Sequence, residues 1–315
     1  MDSAPIDNIT ADGPAGAAAW WLTTSDKVRI RIGVWPATIG TAAKGTILMF
    51  PGRTEYIEKY GRTARQFADA GFATLAVDWR GQGLADRLLK NPAIGHVNHF
   101  PDFQNDVAAV VQAAKDLRLP KPWFVIGHSM GGAIGLRAVM EGLPVNACAF
   151  SAPMWDIALN PLSRRIALGL AAILRPLGLA DGYAPTTTRN RSYAATVPFE
   201  GNRLTTDPEM LNFMQDQAVK LPGTHLGGAS LRWVQESLHE CAALAARPSP
   251  DLPCITFLGT DEKIVSQDAI RDRMARWPNG DLIELPNGRH EVMMEAPAIR
   301  DRVHACLLAH FKSHL

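Results

Sequence analysis

The stretch Trp123-Phe124-Val125-Ile126-Gly127-His128-Ser129-Met130-Gly131-Gly132 decides the fold. Its first four residues are an apolar, partly β-branched run of the length of a buried strand, and Met130 to Glu141 has a helical pattern. Ser129 therefore falls on the turn between a strand and a helix. So sharp a turn holds its central residue in strained backbone geometry, and side chains at Gly127 and Gly131 would clash with it. The hydroxyl is lifted to the carboxyl edge of a sheet, beside the positive end of the following helix. A serine so presented reads as a nucleophile rather than as an ordinary turn serine.

The same alternation continues on both sides of this turn. Strand-like runs lie at Val28 to Trp35, Thr46 to Phe50, Phe72 to Val77, Val145 to Phe150, Cys254 to Leu258 and Asp281 to Leu285. Helical patterns lie at about Tyr56 to Ala70, Phe103 to Leu117, Gln267 to Trp277 and Ala298 to Phe311. Short strands alternating with helices predict a mostly parallel, doubly wound α/β sheet. Val28 to Trp35 alternates instead, with Val, Ile, Ile and Val on one side, and predicts an early antiparallel strand. From Met154 to Arg247 no buried strand is legible. That interval holds the apolar run Ile166 to Leu174, a Gly/Pro/Thr-rich stretch from Gly178 to Arg189, and helical patterns at Pro208 to Leu221 and Ser230 to Ala246. It is too long for a structureless loop. The expected organisation is a discontinuous core, residues 1–153 and 248–315, with an inserted helical cap, residues 154–247.

Bulk properties exclude more than they indicate. The chain has 315 residues, 47% of them hydrophobic, which suits one large globular domain with an insertion. A net charge of +1 with no basic stripe gives no sign of a nucleic-acid partner. The four cysteines, Cys148, Cys241, Cys254 and Cys306, show no CxxC pair, so a metal knuckle is not expected. Cys148 and Cys254 read as core residues, which fits a reducing compartment. The N-terminal residues lack the basic and apolar regions of a secretory signal. No apolar run approaches the roughly 20 residues that span a bilayer. A soluble, cytoplasmic protein is the expectation.

A serine hydroxyl needs a base to take its proton at neutral pH. Of nine histidines, His290 is best placed, in the loop Pro286-Asn287-Gly288-Arg289-His290-Glu291 after the last strand. His128 adjoins the serine but is expected to be turned away. His225 and His239 lie in the cap, within reach of a substrate, and each reads rather as a solvated surface histidine. The base in turn needs an acid to fix its tautomer, and the chain order in such sheets is Ser, acid, His. The turn Gly259-Thr260-Asp261-Glu262-Lys263-Ile264-Val265 offers two adjacent carboxylates. A recurrent G-x-x-D-x-x-V pattern set on Gly259 and Val265 puts Glu262 at the acid position, while composition alone favours Asp261. Glu262 is preferred here and Asp261 is the alternative. The developing oxyanion needs two N–H donors. Met130 N–H follows the nucleophile directly, and Arg53 N–H comes from the loop Phe50-Pro51-Gly52-Arg53-Thr54-Glu55. Pro51 has no N–H to give. Glu55 is read either as a brace of that loop or as a helix N-terminal carboxylate. Asp78-Trp79-Arg80-Gly81-Gln82-Gly83 matches no phosphate-binding spacing and reads as a structural turn with a buried Asp–Arg contact.

Together these motifs resemble the lysophospholipase and monoacylglycerol lipase branch of the α/β-hydrolases. Pro51-Gly52-Arg53-Thr54-Glu55 with Tyr60 is similar to that branch's HGxxE loop and its Tyr, with Pro51 in place of the usual His. Asp78 to Gly83 matches D-x-R-G-x-G, Gly127 to Gly132 matches GHSMGG, and Asn287 to Glu291 is similar to G-x-x-H-E. In the cap, Asn202 to Pro208 and Leu226-Gly227-Gly228 look like bacterial lysophospholipase-like proteins. The resemblance runs from about residue 25 to the C-terminus. It implies the α/β-hydrolase fold, ester hydrolysis through an acyl-enzyme, no cofactor and no metal, and a small-molecule ester, including lipid esters, as substrate. The apolar run Ile166 to Leu174 would line an acyl pocket, rest on a membrane surface, or merely pack on the core. Hydrolysis of an amide, lactone or carbon–carbon bond by the same residues, and a non-catalytic small-molecule binder, are the alternatives. Oligomeric state is not legible.

Overall fold

The computed structural model describes residues 1–38, 43–185, 187 and 192–315. Thr186, Thr188 and Arg189 of the Gly/Pro/Thr-rich stretch lie outside the described residues. The chain begins with a short strand β1 (Asp2–Ser3), a one-turn helix α1 (Asn8–Ala11) and strands β2 (Ala18–Thr23) and β3 (Arg29–Trp35). From β4 (Gly45–Phe50) onward strands and helices alternate: α2 (Gly61–Asp69), β5 (Phe72–Asp78), α3 (Phe103–Asp116), β6 (Trp123–His128), α4 (Met130–Met140) and β7 (Ala147–Ser151). After an insertion come β8 (Cys254–Gly259), α9 (Gln267–Ala275), β9 (Gly280–Leu285) and α10 (Pro297–Lys312). The nine strands form one sheet in the order β1-β2-β3-β5-β4-β6-β7-β8-β9. The run from β5 to β9 across that sheet is parallel, and β1, β2 and β3 join it antiparallel. This is the expected mostly parallel, doubly wound sheet.

Every residue of β4, β5, β6, β7 and β8 is buried. Helices covering both faces remove the need for a polar side, which is why these strands read as continuous apolar runs. Alternate residues divide between two cores. Leu48, Phe50, Val125 and Phe150 join α3, α4 and α9 on one face. Ile47, Met49, Phe124 and Ile126 join Phe67 of α2 and Phe311 of α10 on the other.

Val28 to Trp35 forms the expected antiparallel strand, β3, and both of its faces are covered: Arg31 and Trp35 are fully buried alongside Ile30 and Ile32. The second face is met by α1, which carried no helix signal, and by the residues around Glu58 and Asp78. Trp35 Nε1 donates to Asn8 at the start of α1 at 2.8 Å, and Arg31 meets Glu58 and Asp78, each at 2.7 Å. A buried arginine shared by two carboxylates imitates an outward polar residue in a sequence pattern. The glycine-rich turn after β5 holds two such contacts rather than one internal pair: Asp78 binds Arg31, and Arg80 binds Asp106 at 2.8 Å and Asp26 at 2.6 Å.

Between β7 and β8 the chain forms α5 (Pro161–Leu174), α6 (Tyr193–Thr196), α7 (Pro208–Lys220) and α8 (Leu231–Ala245), and among the described residues it adds no strand to the sheet. Asn160, Ser192, Asp207 and Ser230 cap these helices by accepting from backbone N–H groups within the first turn. Arg137 of α4 binds Glu240 of α8 at 2.6 Å, tying the insertion to the helix that follows Ser129. Helix α5 packs on α8 through Leu170, Ala171 and Leu174. Its other face is open, with Leu162 68% and Ile173 67% exposed. Among the described residues, no helix is long and apolar enough to cross a membrane.

Candidate active site

Strands β4 and β6 are neighbours, but their crossovers leave in opposite directions, to β5 and to β7. A crevice opens at the carboxyl ends of strands at such a switch point. Both loops of interest lie there, because Phe50 pairs with Gly127 at the ends of β4 and β6. Ser129 follows at φ 50°, ψ −119°, a region that a non-glycine residue occupies only under strain. The turn is held by Ser129 N–H donating to Ser151 O at 3.1 Å and by Ser129 O accepting from Gly132 and Met154 N–H, both at 2.8 Å. A Cβ at Gly131 would overlap the carbonyls of Phe50 and Pro51, so α4 can approach β4 this closely only with glycine there. Gly131→Ala is expected to leave little folded protein, measurable as loss of soluble yield and of a cooperative thermal transition.

The loop after β4 passes beside the serine. A Cβ at Gly52 would lie 3.0 Å from Ser129 Cβ. Among the described residues, neither Arg53 N–H nor Met130 N–H has a protein acceptor. These two donors flank Ser129 from two different loops.

His290 lies in the loop after β9, and its Nδ1 donates to Glu262 Oε2 at 2.6 Å. Glu262 is itself fixed, since its Oε1 accepts from Ile264 N–H at 2.5 Å and Val265 N–H at 3.2 Å. Burial pushes the Glu262 carboxyl up, but the His290 ring and these two N–H groups outweigh it and hold it below its ordinary range. For His290, burial pushes the imidazole down, and the Glu262 carboxylate overrides that and raises it. Asp261 points away, paired with Lys263 at 2.7 Å and 3.7 Å from Arg289. Of the two adjacent carboxylates, the geometry joins Glu262 to His290. Ser129, Met130, Arg53 and His290 all line one cavity of about 520 Å³.

Beneath the site lies a buried charge cluster that only partly showed in the sequence. Lys59 Nζ binds Glu55 and, at 2.6 Å, Glu291. Glu55 Oε2 accepts from Gly52 N–H and from the Tyr60 hydroxyl, so it braces the loop that carries Arg53. His128 is turned into this cluster. Its Nδ1 lies 3.0 Å from Ser151 O, and its Nε2 lies 3.4 Å from Glu291 and 3.5 Å from Glu55. Burial pushes the Glu291 carboxyl up, and Lys59 and His128 more than reverse it, holding it well below the carboxylate range. Glu55, His128 and Glu291 form a metal-like triplet, but the Lys59 ammonium already supplies the positive charge between the carboxylates. Sequence reasoning found Glu55 and passed over Lys59, which sits four residues further on in a segment read only as a helical pattern. Lys59→Met leaves two buried carboxylates facing each other. It is expected to destabilise the protein by about 3–5 kcal/mol, read in urea unfolding.

The wall opposite Ser129 comes from the insertion: Leu204, Met214 and Ala218 from the α7 region, and Leu226 and Trp233 near the start of α8. The apolar run Ile166 to Leu174 does not line this cavity. Its inward residues are spent on α8 and the rest face outward, so an acyl-pocket role for that run is ruled out.

A nucleophile-elbow serine, a Glu–His pair and a doubly wound sheet define the α/β-hydrolase class. Residues 41–297 match the model of the family described as "Serine aminopeptidase, S33", and the chain belongs to that family. Lysophospholipase L2 of Escherichia coli strain K12 is 31% identical over 287 residues, 85% of this chain and 80% of that one. The probable lysophospholipase L2 of Haemophilus influenzae is 26% identical and covers 84% and 82% of the two chains. Among solved structures, a soluble variant of the monoglyceride lipase of Saccharomyces cerevisiae shares the fold at a TM-score of 0.72, with 20% identity and coverage of 93% and 94%. A thermostable carboxyl esterase of Bacillus coagulans does so at a TM-score of 0.74, with 14% identity and coverage of 96% and 99%. The chain is a serine hydrolase of the ester-cleaving branch to which its motifs pointed.

Proposed function

We propose that the protein hydrolyses carboxylic esters with an apolar acyl chain, of the lysophospholipid or monoacylglycerol kind, through an acyl-enzyme on Ser129. His290 is the general base and then the acid for the leaving alcohol, Glu262 is the orienting carboxylate, and Met130 and Arg53 N–H receive the oxyanion. The observation that carries this reading is the cavity in which a strained serine, a carboxylate-bound imidazole and two N–H groups free of protein acceptors converge under an apolar wall. Its volume lies in the range of sites that hold a small organic ligand. The discontinuous core of residues 1–153 and 248–315 supplies the chemistry, and the cap, residues 154–247, supplies the wall that meets the acyl chain. Turnover of p-nitrophenyl esters of rising chain length tests it. A preference for medium or long chains is expected, and a preference for acetate contradicts the acyl-pocket reading.

The family's description invites a peptide-bond reading, but an aminopeptidase needs a free carboxylate to hold the substrate's ammonium. Both carboxylates that line the cavity, Glu55 and Glu291, are bound to Lys59. That favours an ester.

The His290 imidazole must be neutral to act as a base. Its folded pKa is raised, so it stays protonated to higher pH than an ordinary histidine. The acid limb of the kcat/KM profile is therefore expected above the ordinary value of about 6.5. A limb at or below that value contradicts the assigned pairing.

Helix α5 is read as a contact with the surface of lipid aggregates. Leu162, Ile166 and Ile173 on α5, with Leu177 and Leu179 just after it, are each more than half exposed; Arg165 lies among them, beside Arg164 and Arg175, which pair with Asp156 and Glu236. An apolar stripe with flanking cations is the composition of an interfacial helix. Ile166→Glu with Ile173→Glu is expected to lower cosedimentation with anionic vesicles several-fold, while hydrolysis of a short soluble ester is retained. Unchanged cosedimentation contradicts the reading.

A further inference from the structure

Arg53 lines the cavity that holds Ser129, yet among the described residues its guanidinium meets no carboxylate. Arg31 binds Asp78 and Glu58, and Arg80 binds Asp106 and Asp26, whereas Arg273, buried away from this cavity, is held by the carbonyls of Arg247 and Leu244. Arg53 instead donates from Nη2 to Gly227 O at 2.5 Å, rests over the Trp233 ring at 5.3 Å, and keeps a buried Nε without a partner. Arg53 is partly buried, with its Nε shielded from water, and a cation so placed without a counter-charge is costly; a ligand anion would offset that cost. Burial pushes the guanidinium down to about 10, which leaves it charged at neutral pH.

The slot is shaped for this side chain. A Cβ at Gly95 would lie 2.7 Å from Nη2 and 3.1 Å from Nε of Arg53, so a side chain there would push the guanidinium from its present position. The Gly95 backbone is pinned to the cap, donating to Gly228 O at 2.9 Å and accepting from Ser230 N–H at 2.8 Å. The guanidinium is thus held between core and cap in a fixed orientation, with fork geometry suited to a two-oxygen anion. Arg203, at the exposed rim of the same cavity, also lacks a carboxylate partner among the described residues. The cavity's two carboxylates are taken up by Lys59. The site therefore presents unbalanced positive charge on the side of the serine where the oxyanion loop and the cap meet.

We propose that the Arg53 guanidinium is an anion subsite that recognises the phosphodiester of the substrate's leaving group, so that the protein prefers a lysophospholipid to a neutral monoacylglycerol. This rests on the ester-hydrolase reading and refines it. The anion is carried on the alcohol side of the scissile ester, and the acyl chain occupies the apolar wall. Ester cleavage then releases a glycerophosphodiester, the product whose charge the arginine matches.

The test compares kcat/KM for lysophosphatidylglycerol and for monoacylglycerol of the same acyl chain, both presented in the same neutral detergent. Wild-type protein is expected to favour the anionic ester. Arg53→Gln is expected to lower the anionic-to-neutral ratio at least tenfold, mainly through KM, and Arg53→Lys to restore part of it. In wild-type protein, sn-glycerol 3-phosphate is expected to compete with the neutral ester, and this readout stands even if the variants fold poorly. A ratio unmoved by Arg53→Gln, or no competition by glycerol 3-phosphate, overturns the subsite. Wild-type turnover of the monoacylglycerol alone also overturns it and leaves the ester-hydrolase reading intact. Turnover of neither lipid overturns that underlying reading instead.

Discussion

Ser129→Ala is expected to remove ester hydrolysis down to the background rate, a loss of about a million-fold by the measure of serine hydrolases in which the nucleophile alone was deleted. The reason is local. The backbone at φ 50° exists to present one Oγ, and no neighbouring hydroxyl takes its place: the nearby Ser151 is buried and its Oγ lies 3.1 Å from His128 Nδ1, on the far side of the elbow. Alanine accepts the same backbone no worse than serine does, so folding should be retained. A thermal transition within a few degrees of wild type, beside absent turnover, separates chemistry from stability. Substrate should still bind, because the cavity wall is untouched.

Glu262→Gln is expected to cost about ten-thousand-fold in kcat with a small change in KM, as when the orienting acid of such a triad becomes its amide. The amide no longer neutralises an imidazolium, and its NH2 can turn toward His290 Nδ1 and favour the wrong tautomer. A second consequence follows from the sign of the electrostatics. Burial alone depresses the His290 pKa, and the Glu262 carboxylate raises it above normal. Without the charge, the acid limb of the residual activity should move to lower pH. Asp261→Asn is the matched control, since that carboxylate is bound to Lys263 and does not reach His290. It is expected to change kcat less than threefold. Equal damage from both substitutions contradicts the assigned acid.

What the sequence shows well is whatever repeats on a short scale. The strand and helix around Ser129, the later βα alternation and the insertion were legible because parallel strands buried on both faces are plain apolar runs. The contact between Glu262 and His290 was legible from the spacing between Gly259 and Val265 once a histidine had to be matched with an acid. Strands β1 and β2 were not, and the burial of both faces of β3 was not. Trp20 and Trp21 of β2 break any alternation, and Arg31 is polar in composition but wholly buried. The Lys59 cluster was half hidden for the same reason: the Glu55–Lys59 pair, His128 and Glu291 are far apart in sequence and are polar in composition until the fold buries them together. The run Ile166 to Leu174 left pocket lining, membrane contact and packing equally open. Its inner side packs on α8, α5 turns much of the rest outward, and the cavity draws on Leu204, Met214 and Leu226. Sequence periodicity reports that a face is apolar, not what it faces.

The central claim is that Ser129 is a nucleophile activated by His290. Its most direct test is reaction of the native protein with a fluorophosphonate, followed by intact-mass and peptide analysis. The account predicts one adduct per chain, carried by the peptide containing Gly127 to Gly131 and mapped to Ser129, and no adduct in His290→Ala. An unlabelled wild-type protein, or a phosphonyl group on any other residue, would contradict it.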